Sequence, residues 1–474
     1  MPHTSSSKLT RRAFTKLSVA GALGAGFTAA FPFVSRAASA TRRLRIACVG
    51  AAGKGWDDMI GVSEDGARHD IVAICDIDHR DGGEQPANLK SVQLARPLGI
   101  GAARRQFPQA KVYRDFRRLL EQRDIDAVTV STPDHMHATV ALSAMALGKH
   151  VFVQKPLSQT VHEARVMREV AAARRVVTQM GNQNHSGAGY RCAVQVIQSG
   201  AIGKIKAAYS WVSAPPVWPD NIAKLASDEP VPAGIDWDLW IGVAKPRPYR
   251  QHAYHNFNWR AWKEYGTGML GDVGCHVMDP VVWGLELSAP RTVQATVSEF
   301  HPEVYPSWNV VKYEFAATRF ATDGFRYTWS DGRKPPVDPA HIPAGVTLPA
   351  SASLLIGEKG SMISSPGAAP RLYPQANFQD YSLTVVKEMF AGFAAEKRDH
   401  YRMWTDAILT GSQANSSFEY AGPLTEIVML GTIAQRIPDR TLRWKASALS
   451  FDDAAATQLV RRQYRKGWEI PALS

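Results

Sequence analysis

Cysteine is scarce, with four in 474 residues, and positions 48, 75, 192 and 275 show no paired spacing. That excludes a disulfide framework or a cysteine zinc site, and because Cys48 and Cys75 sit inside apolar strand-like runs, they read as reduced core thiols. Acidic residues are also in deficit, 43 against 55 Lys and Arg, for a net charge of +12. The excess does not signal nucleic-acid binding, because the bases come as scattered pairs such as Arg104-Arg105 and Arg117-Arg118 without interleaved aromatics. They read as solvated helix faces. His135, His137, His185, Asp272 and His276 could each ligate a metal, but their linear spacing resembles no metal motif, and no metal is expected.

Residues Thr10 to Lys16 read Thr-Arg-Arg-Ala-Phe-Thr-Lys and lead into an uncharged stretch, Leu17 to Ser35, interrupted by Gly21, Gly24 and Gly26. This resembles a twin-arginine signal, whose weakly apolar segment suits a translocase that accepts folded cargo. The stretch approaches the ~20 apolar residues of a membrane span. Its glycines and the small-residue site Ala38-Ser39-Ala40 favour cleavage instead, leaving no span in the mature chain. The mature protein is then expected to start near Thr41, in the periplasm or outside the cell, with the export machinery as its transient partner. Removing residues 1 to 40 takes away five basic residues and no acids, which lowers the charge from +12 to +7. A chain of this length is expected to build two domains, 41–186 and 187–474.

The first of these opens with an apolar strand, Arg45 to Gly50, that runs into Gly50-Ala51-Ala52-Gly53-Lys54-Gly55. Glycines there let the chain turn sharply and bring backbone amides to a pyrophosphate at a helix N-terminus. Ala52 takes the place of the middle glycine, with Gly53 beside it. A second apolar run, Ile71 to Cys75, ends in Asp76, roughly 20 residues on, where an acid takes ribose hydroxyls and favours NAD. Arg80 is near enough to leave NADP open. Further strands are expected at Ala127 to Ser131, before Thr132-Pro133-Asp134, and at His150 to Gln154, before Lys155-Pro156. Helical spacing from Ala138 to Leu147 lies between them, so strand, helix and strand alternate and the sheet is expected to be parallel. His79 to Gln106 reads as a polar excursion without periodicity.

Three separated motifs, at residues 131–137, 154–157 and 268–279, carry a resemblance to the Gfo/Idh/MocA oxidoreductase family over essentially the whole mature chain. The first is Ser131-Thr132-Pro133-Asp134-His135-Met136-His137, followed by Gly148-Lys149-His150-Val151. The second is Gln154-Lys155-Pro156-Leu157, where the family usually has Glu-Lys-Pro. The third runs from Gly268 to Asp279 and keeps the family's spacing of Leu270, Asp272, Gly274, His276 and Asp279. Gly181-Asn182-Gln183 with His185, and a tryptophan-rich middle, resemble the secreted twin-arginine members such as glucose-fructose oxidoreductase, which implies an NAD or NADP exported tightly bound. The resemblance also implies an α/β architecture: an N-terminal Rossmann domain and a C-terminal α+β domain with an open, mostly antiparallel sheet. It places Gly50, Ala52, Gly53, Lys54, Gly55, Asp76, Ser131, Thr132, Pro133, His137, Gln154 and Lys155 at the cofactor. Lys155, Asp272 and His276 match the family's catalytic lysine, aspartate and histidine.

The chemistry fits those residue types. Oxidising an alcohol carbon takes a proton from its hydroxyl, so the site needs a base and a cation beside the oxygen. His276 is the expected base and Lys155 the expected cation. Asp272, four residues before His276, would share its helix face and orient the imidazole, and Asp279 continues that face. A simple helix-start hydrogen bond is the plainer reading of the pair, and the longer motif outweighs it. Gln183 and His185 follow the apolar strand Val176 to Met180, so they are expected at the crevice or capping the next helix near Gly189.

Ile205 to Val212, Arg291 to Phe300, Trp308 to Phe315 and Gly324 to Trp329 alternate as strands of the second sheet. The long Pro- and Trp-rich segment between Val212 and Trp259 reads as a lid or binding loop. Trp259 and Trp262 are expected to stack on a sugar, with Arg260, Lys263 and Tyr265 bonding its hydroxyls; Trp211, Trp218, Trp237 and Trp240 are expected mostly in the core. Helical stretches Met389 to Leu409 and Pro423 to Arg436 read as scaffold. An open sheet face needs cover, so a homo-oligomer is expected. The expected activity is NAD(P)-dependent oxidation or reduction of a carbohydrate, glycoside or polyol. The alternative is an NAD-dependent glycosidase or lyase working through transient sugar oxidation and elimination with the same groups.

Overall fold

The computed structural model describes residues 42–82, 96–216, 218, 222 and 228–473. The expected signal and cleavage site lie outside them, as do residues 83–95 of the polar excursion.

Short apolar runs build the first sheet: β1 (Arg45–Val49), β2 (Asp70–Cys75), β3 (Lys111–Tyr113), β4 (Ala127–Val130), β5 (His150–Val153) and β6 (Thr178–Met180). All pairings are parallel, in the order β3-β2-β1-β4-β5-β6. A parallel sheet is covered on both faces and therefore wants continuous rather than alternating apolar strands, as the fully buried β4 illustrates. The order reverses between β1 and β4, which opens a crevice at their C-terminal ends. Edge strand β3 was not anticipated. Lys111 and Val112 are exposed, so it has no hydrophobic signature, and pairing with β2 alone defines it. The excursion is also more regular than expected, because Gly101–Gln106 is a helix whose inward face is only Gly101 and Ala103.

The second sheet has nine strands: β7 (Ile205–Val212), β8 (Thr292–Val297), β9 (Asn309–Phe315), β10 (Ala321–Asp331), β11 (Ser351–Gly357), β12 (Ser361–Ser364), β13 (Arg371–Tyr373), β14 (Leu442–Lys445) and β15 (Ser450–Phe451). It is antiparallel except where β7 meets β10. Alternation along β9 and β10 turns Tyr313, Phe315, Phe325, Tyr327 and Trp329 into the core and leaves Lys312 and Arg326 outside. The outer side of β7 and β11 is covered by the chain itself, where Val337, Ile342, Val346 and Leu348 pack on Trp211 and Leu354.

The helical stretch expected from Met389 to Leu409 is broken. Lys397 takes a left-handed φ of 46° and Asp399 caps a new helix, α4 (His400–Thr410), by accepting from the Arg402 amide. Trp404, Ala407 and Leu409 of this helix pack with Ile46, Cys48 and Phe152, so a C-terminal segment completes the core of the first domain. The last long helix, α5 (Phe418–Arg436), starts before Pro423 and contains it. All four cysteines are buried and unpaired, and burial pushes the thiols of Cys48 and Cys275 up to about 12. Among the described residues, no helix is long and apolar enough to cross a membrane.

Candidate active site

The glycine loop shows what each glycine does. Gly50 has a φ of 84°, and a Cβ there would stand 2.6 Å from the Ser131 carbonyl oxygen, so only glycine lets the ends of β1 and β4 close at the crevice. Gly53 has a φ of 55° and nothing within 4 Å of a Cβ; it serves the turn and leaves the space beside it open. Gly55 departs from expectation. It does not line the cavity, and a Cβ there would lie 2.0 Å from the Gly50 oxygen, so it packs helix α1 (Lys54–Ser63) against the loop. No side chain caps α1; the Gly55 amide donates to the Ala52 carbonyl at 2.9 Å, and the other first-turn amides are left for a ligand. Asp76 closes β2 and accepts from the amides of Ala51 (2.8 Å) and Asp78 (3.0 Å). Burial raises its carboxyl, and these two bonds oppose that shift.

These groups line one cavity of about 560 Å³ that continues past Ser131, Thr132, Pro133 and His137 to Gln154 and Lys155. His137 lies between the carbonyls of Pro156 (2.8 Å) and Thr132 (2.9 Å); the two carbonyls favour the charged ring, but burial outweighs them and pushes it down to about 4, and as a neutral ring it donates to one of the two. The Gln154 amide donates at 2.9 Å to each oxygen of the buried Asp58 carboxylate. A glutamate there would oppose one carboxylate with another, which accounts for the departure from Glu-Lys-Pro.

Beyond β5 the cavity becomes charged. Lys155 Nζ donates to Asp272 at 2.6 Å, both to its carboxylate and to its backbone carbonyl, across to helix α3 (Gly268–Val277). Arg260 Nε lies 3.1 Å from the same carboxylate, with its guanidinium 4.1 and 4.3 Å from the ring centres of Phe257 and Trp259. Burial works to raise the Asp272 carboxyl, but Lys155 and then Arg260 outweigh it and hold it far below the usual range. Asp272 therefore orients Lys155, not His276 as its spacing suggested. Helical spacing gives Asp272 and His276 a common face, and a lysine from the other domain takes the carboxylate. His276 Nδ1 is buried without a hydrogen-bond partner, and burial, followed by the Lys155 charge, pushes the ring down to about 3. The imidazole is neutral, with Nδ1 left unpaired. Asp134, at the start of helix α2 (Asp134–Ala146), accepts from Thr267 at 2.5 Å, and burial pushes it up to about 7. Its place in the first motif was the available signal for a further titrating group.

Of the expected substrate residues, Gln183, Trp259 and Arg260 line the cavity, whereas His185, Trp262, Lys263 and Tyr265 do not. His185 is buried, 3.0 Å from Asp279 and stacked on Trp283 with ring centres 4.0 Å apart. Asp279 is thereby turned away from the site and is held also by Asn182 and Tyr420. Trp262 donates to the Ala253 carbonyl at 2.7 Å, Lys263 to the His301 carbonyl at 2.5 Å, and Tyr265 is a fully buried ring against Trp240 and Tyr254. Trp259 and Arg260 sit on the tight turn Asn258–Ala261, whereas Trp262, Lys263 and Tyr265 follow it and are held elsewhere. Trp240 is buried in an aromatic cluster, as expected, and also lines the cavity, as does Asn256; Trp240 Nε1 and Asn256 Oδ1 are buried polar atoms without partners. Asp78 and His255, 3.1 Å apart, also reach it. Among the described residues, no group of three or more His, Cys, Asp or Glu could hold a metal.

A dinucleotide suits these residues: open helix amides, an acid at the end of β2, and orphaned polar atoms in the wall. A parallel sheet whose crevice joins a glycine loop to a lysine, an aspartate and a histidine defines a dinucleotide-dependent oxidoreductase fold. Residues 44–182 match the oxidoreductase family's NAD-binding Rossmann fold and residues 203–324 its C-terminal alpha/beta domain. Together they cover more than half of the chain, which belongs to the Gfo/Idh/MocA oxidoreductase family.

Levoglucosan dehydrogenase of Pseudarthrobacter phenanthrenivorans is 27% identical over 220 residues, 45% of this chain and 46% of the relative. Inositol 2-dehydrogenase of Pseudomonas savastanoi pv. phaseolicola is 34% identical over 164 residues, 34% of this chain and 43% of the relative. The chain thus spans less than half the length of these curated relatives. The WlbA dehydrogenase from Bordetella pertussis, solved with NADH and UDP-GlcNAcA, shares the fold with a TM-score of 0.55 at 15% identity, over 85% of this chain and 98% of that one.

Proposed function

We propose that this chain is an NAD-dependent oxidoreductase acting at an alcohol carbon of a sugar, glycoside or polyol. The observation that carries the reading is Lys155, tied to Asp272 at 2.6 Å, in the same cavity as the glycine loop and the unpartnered His276. The nicotinamide, when bound, supplies the two-electron acceptor or donor. Gly50, Gly53, Asp76 and the first turn of α1 would hold it. Lys155 donates to the substrate oxygen and steadies negative charge there, while Asp272, itself held by Arg260, keeps its ammonium in place. His276 takes the hydroxyl proton on its neutral imidazole, and the surrounding rings of Trp240, Phe257 and Trp259 limit water. Similarity to a levoglucosan dehydrogenase and an inositol 2-dehydrogenase supports a polyhydroxy substrate.

The test is to release and identify the bound nucleotide, then to follow nicotinamide absorbance and cleavage products together on a panel of sugars and glycosides. Net reduction of the nucleotide supports the dehydrogenase. Cleavage without net reduction would replace it with the glycosidase.

Three further features belong to this reading. The Arg11-Arg12 segment supports folded export to the periplasm, checked by the N-terminus of the exported protein, expected near Thr41. A cofactor that cannot readily be replaced outside the cell favours tight retention, checked by its presence after purification. The outward row of the second sheet sets Lys312 and Arg326 beside Glu314, a charge pattern that suits a second copy of the chain, and a monomeric mass in solution would refute that pairing.

A further inference from the structure

Asp58 lies on the second turn of α1 with no solvent exposure, and its carboxylate gathers donors from four separate parts of the chain. Lys54 Nζ reaches it at 2.8 Å, Ser131 Oγ at 2.7 Å, Gln154 Nε2 at 2.9 Å and the Tyr401 hydroxyl at 2.8 Å. A buried carboxylate is costly unless it is paired and its lone pairs are filled. Here one cation supplies the charge and neutral donors fill the remainder. Tyr401 differs from the other three. It arrives on α4, 343 residues away in sequence, and it does not line the cavity. Its oxygen also accepts from Lys54 Nζ at 2.7 Å and from Gln183 Nε2 at 3.3 Å, and both of those side chains do line the cavity. Its ring occupies a notch on α1 that only a glycine leaves open, because a Cβ on Gly61 would stand 2.4 Å from the nearest ring carbon.

We infer that Tyr401 is a positioning residue for the dinucleotide: its hydroxyl fixes the Lys54 ammonium and the Gln183 amide at the cavity wall and thereby slows cofactor release. The inference rests on the NAD reading above. Without the hydroxyl, Lys54 keeps Asp58 and a looser pair with Asp57 at 3.7 Å but loses its shortest contact, the one that sets where its charge points, and Gln183 loses its hold. A cation attracts a nearby pyrophosphate only as well as its position is maintained. A C-terminal helix that touches no cofactor thus sets how long the cofactor stays.

The test uses the full-length protein, loaded with NADH and chased with excess NAD⁺ while the nicotinamide fluorescence is followed. Tyr401→Phe keeps the ring and removes the hydroxyl, and release is expected to be about tenfold faster or more, the size of one charge-assisted hydrogen bond. Gly61→Ala pushes the ring from outside the cavity while improving helix propensity, and should also speed release. Arg402→Ala removes the neighbouring exposed pair with Glu64 and leaves the phenol alone, so release should stay within about twofold of wild type. Wild-type release from Tyr401→Phe overturns the inference, since the hydroxyl would then be idle. Equal acceleration in Arg402→Ala overturns it as well, since any loosening of α4 would suffice. A wild-type protein that binds no NADH overturns the NAD reading beneath it, a failure seen before any variant is compared.

Discussion

Two carboxylates flank the Gln154-Lys155 dipeptide, one from each domain, and they are held in opposite ways. Asp58 receives the Gln154 amide with one ammonium and two hydroxyls, and Asp272 receives Lys155 with a second cation, Arg260. The first arrangement is close to neutral and fixes positions. The second leaves a surplus of positive charge beside His276, which helps keep that imidazole unprotonated and favours negative charge on a bound oxygen. Adjacent residues on one strand end thus serve geometry on one side and electrostatics on the other.

The most severe break in this contrast is Lys155→Ala. If Lys155 is the donor to the substrate oxygen as proposed, its loss should lower kcat by about a thousandfold, roughly 4 kcal/mol of transition-state stabilisation, while NADH affinity changes little. A matching loss of affinity would show that Lys155 serves the cofactor instead. Asp272→Asn leaves Lys155 and Arg260 without their common anion and should cost about 3 kcal/mol of stability, read as a fall in the denaturant midpoint.

Gln154→Glu tests the other side. A second acid against Asp58 should cost on the order of 2 kcal/mol at neutral pH. The sign with pH is definite: one of the two acids is raised above its unfolded value, so the folded state binds more protons and the loss shrinks as pH falls. Equal destabilisation at pH 5 and pH 8 would mean that repulsion is not the cause.

The smallest effects are intrinsic to pH. With His276 held at about 3, kcat/KM should keep its plateau down to pH 5, where an ordinary imidazole is mostly protonated. An acid limb near 6.5 would identify a different base. Folding stability should behave differently. His135 and His400 are pushed down to about 3 and His137 to about 4, in each case by burial first, so the unfolded chain binds more protons below about 6.5. Stability is then expected to fall steadily from pH 6.5 toward pH 4, measurable as a declining melting temperature.

How far the site was legible depended on whether a signal was local. Gly50, Gly53 and Asp76 are placed by a turn and a strand end that the sequence spells out, and the structure puts them on the cavity wall. Asp272 and His276 were legible as one helix face, but their supposed bond was not, because Lys155 competes for the carboxylate from 117 residues away. Trp262, Lys263 and Tyr265 were misplaced for a related reason: the carbonyls of Ala253 and His301 hold the first two, and Tyr265 packs as a buried ring against Trp240 and Tyr254, none of which a local pattern announces. Tyr401 carried no motif at all. Strand β3 was invisible because an exposed three-residue edge has no apolar pattern.

By itself, the sequence determined the alternation of apolar strands and helices, the glycine turn and the three motifs, and with them a two-domain oxidoreductase fold. Each depends on short-range sterics or on periodic burial, which a few consecutive residues are enough to encode. Only the tertiary structure decided which side chain each buried charge would meet. Asp58, Asp272 and Asp279 each had several chemically suitable partners along the chain, and a buried carboxylate takes whichever donors the packing of sheets and helices brings within hydrogen-bond reach.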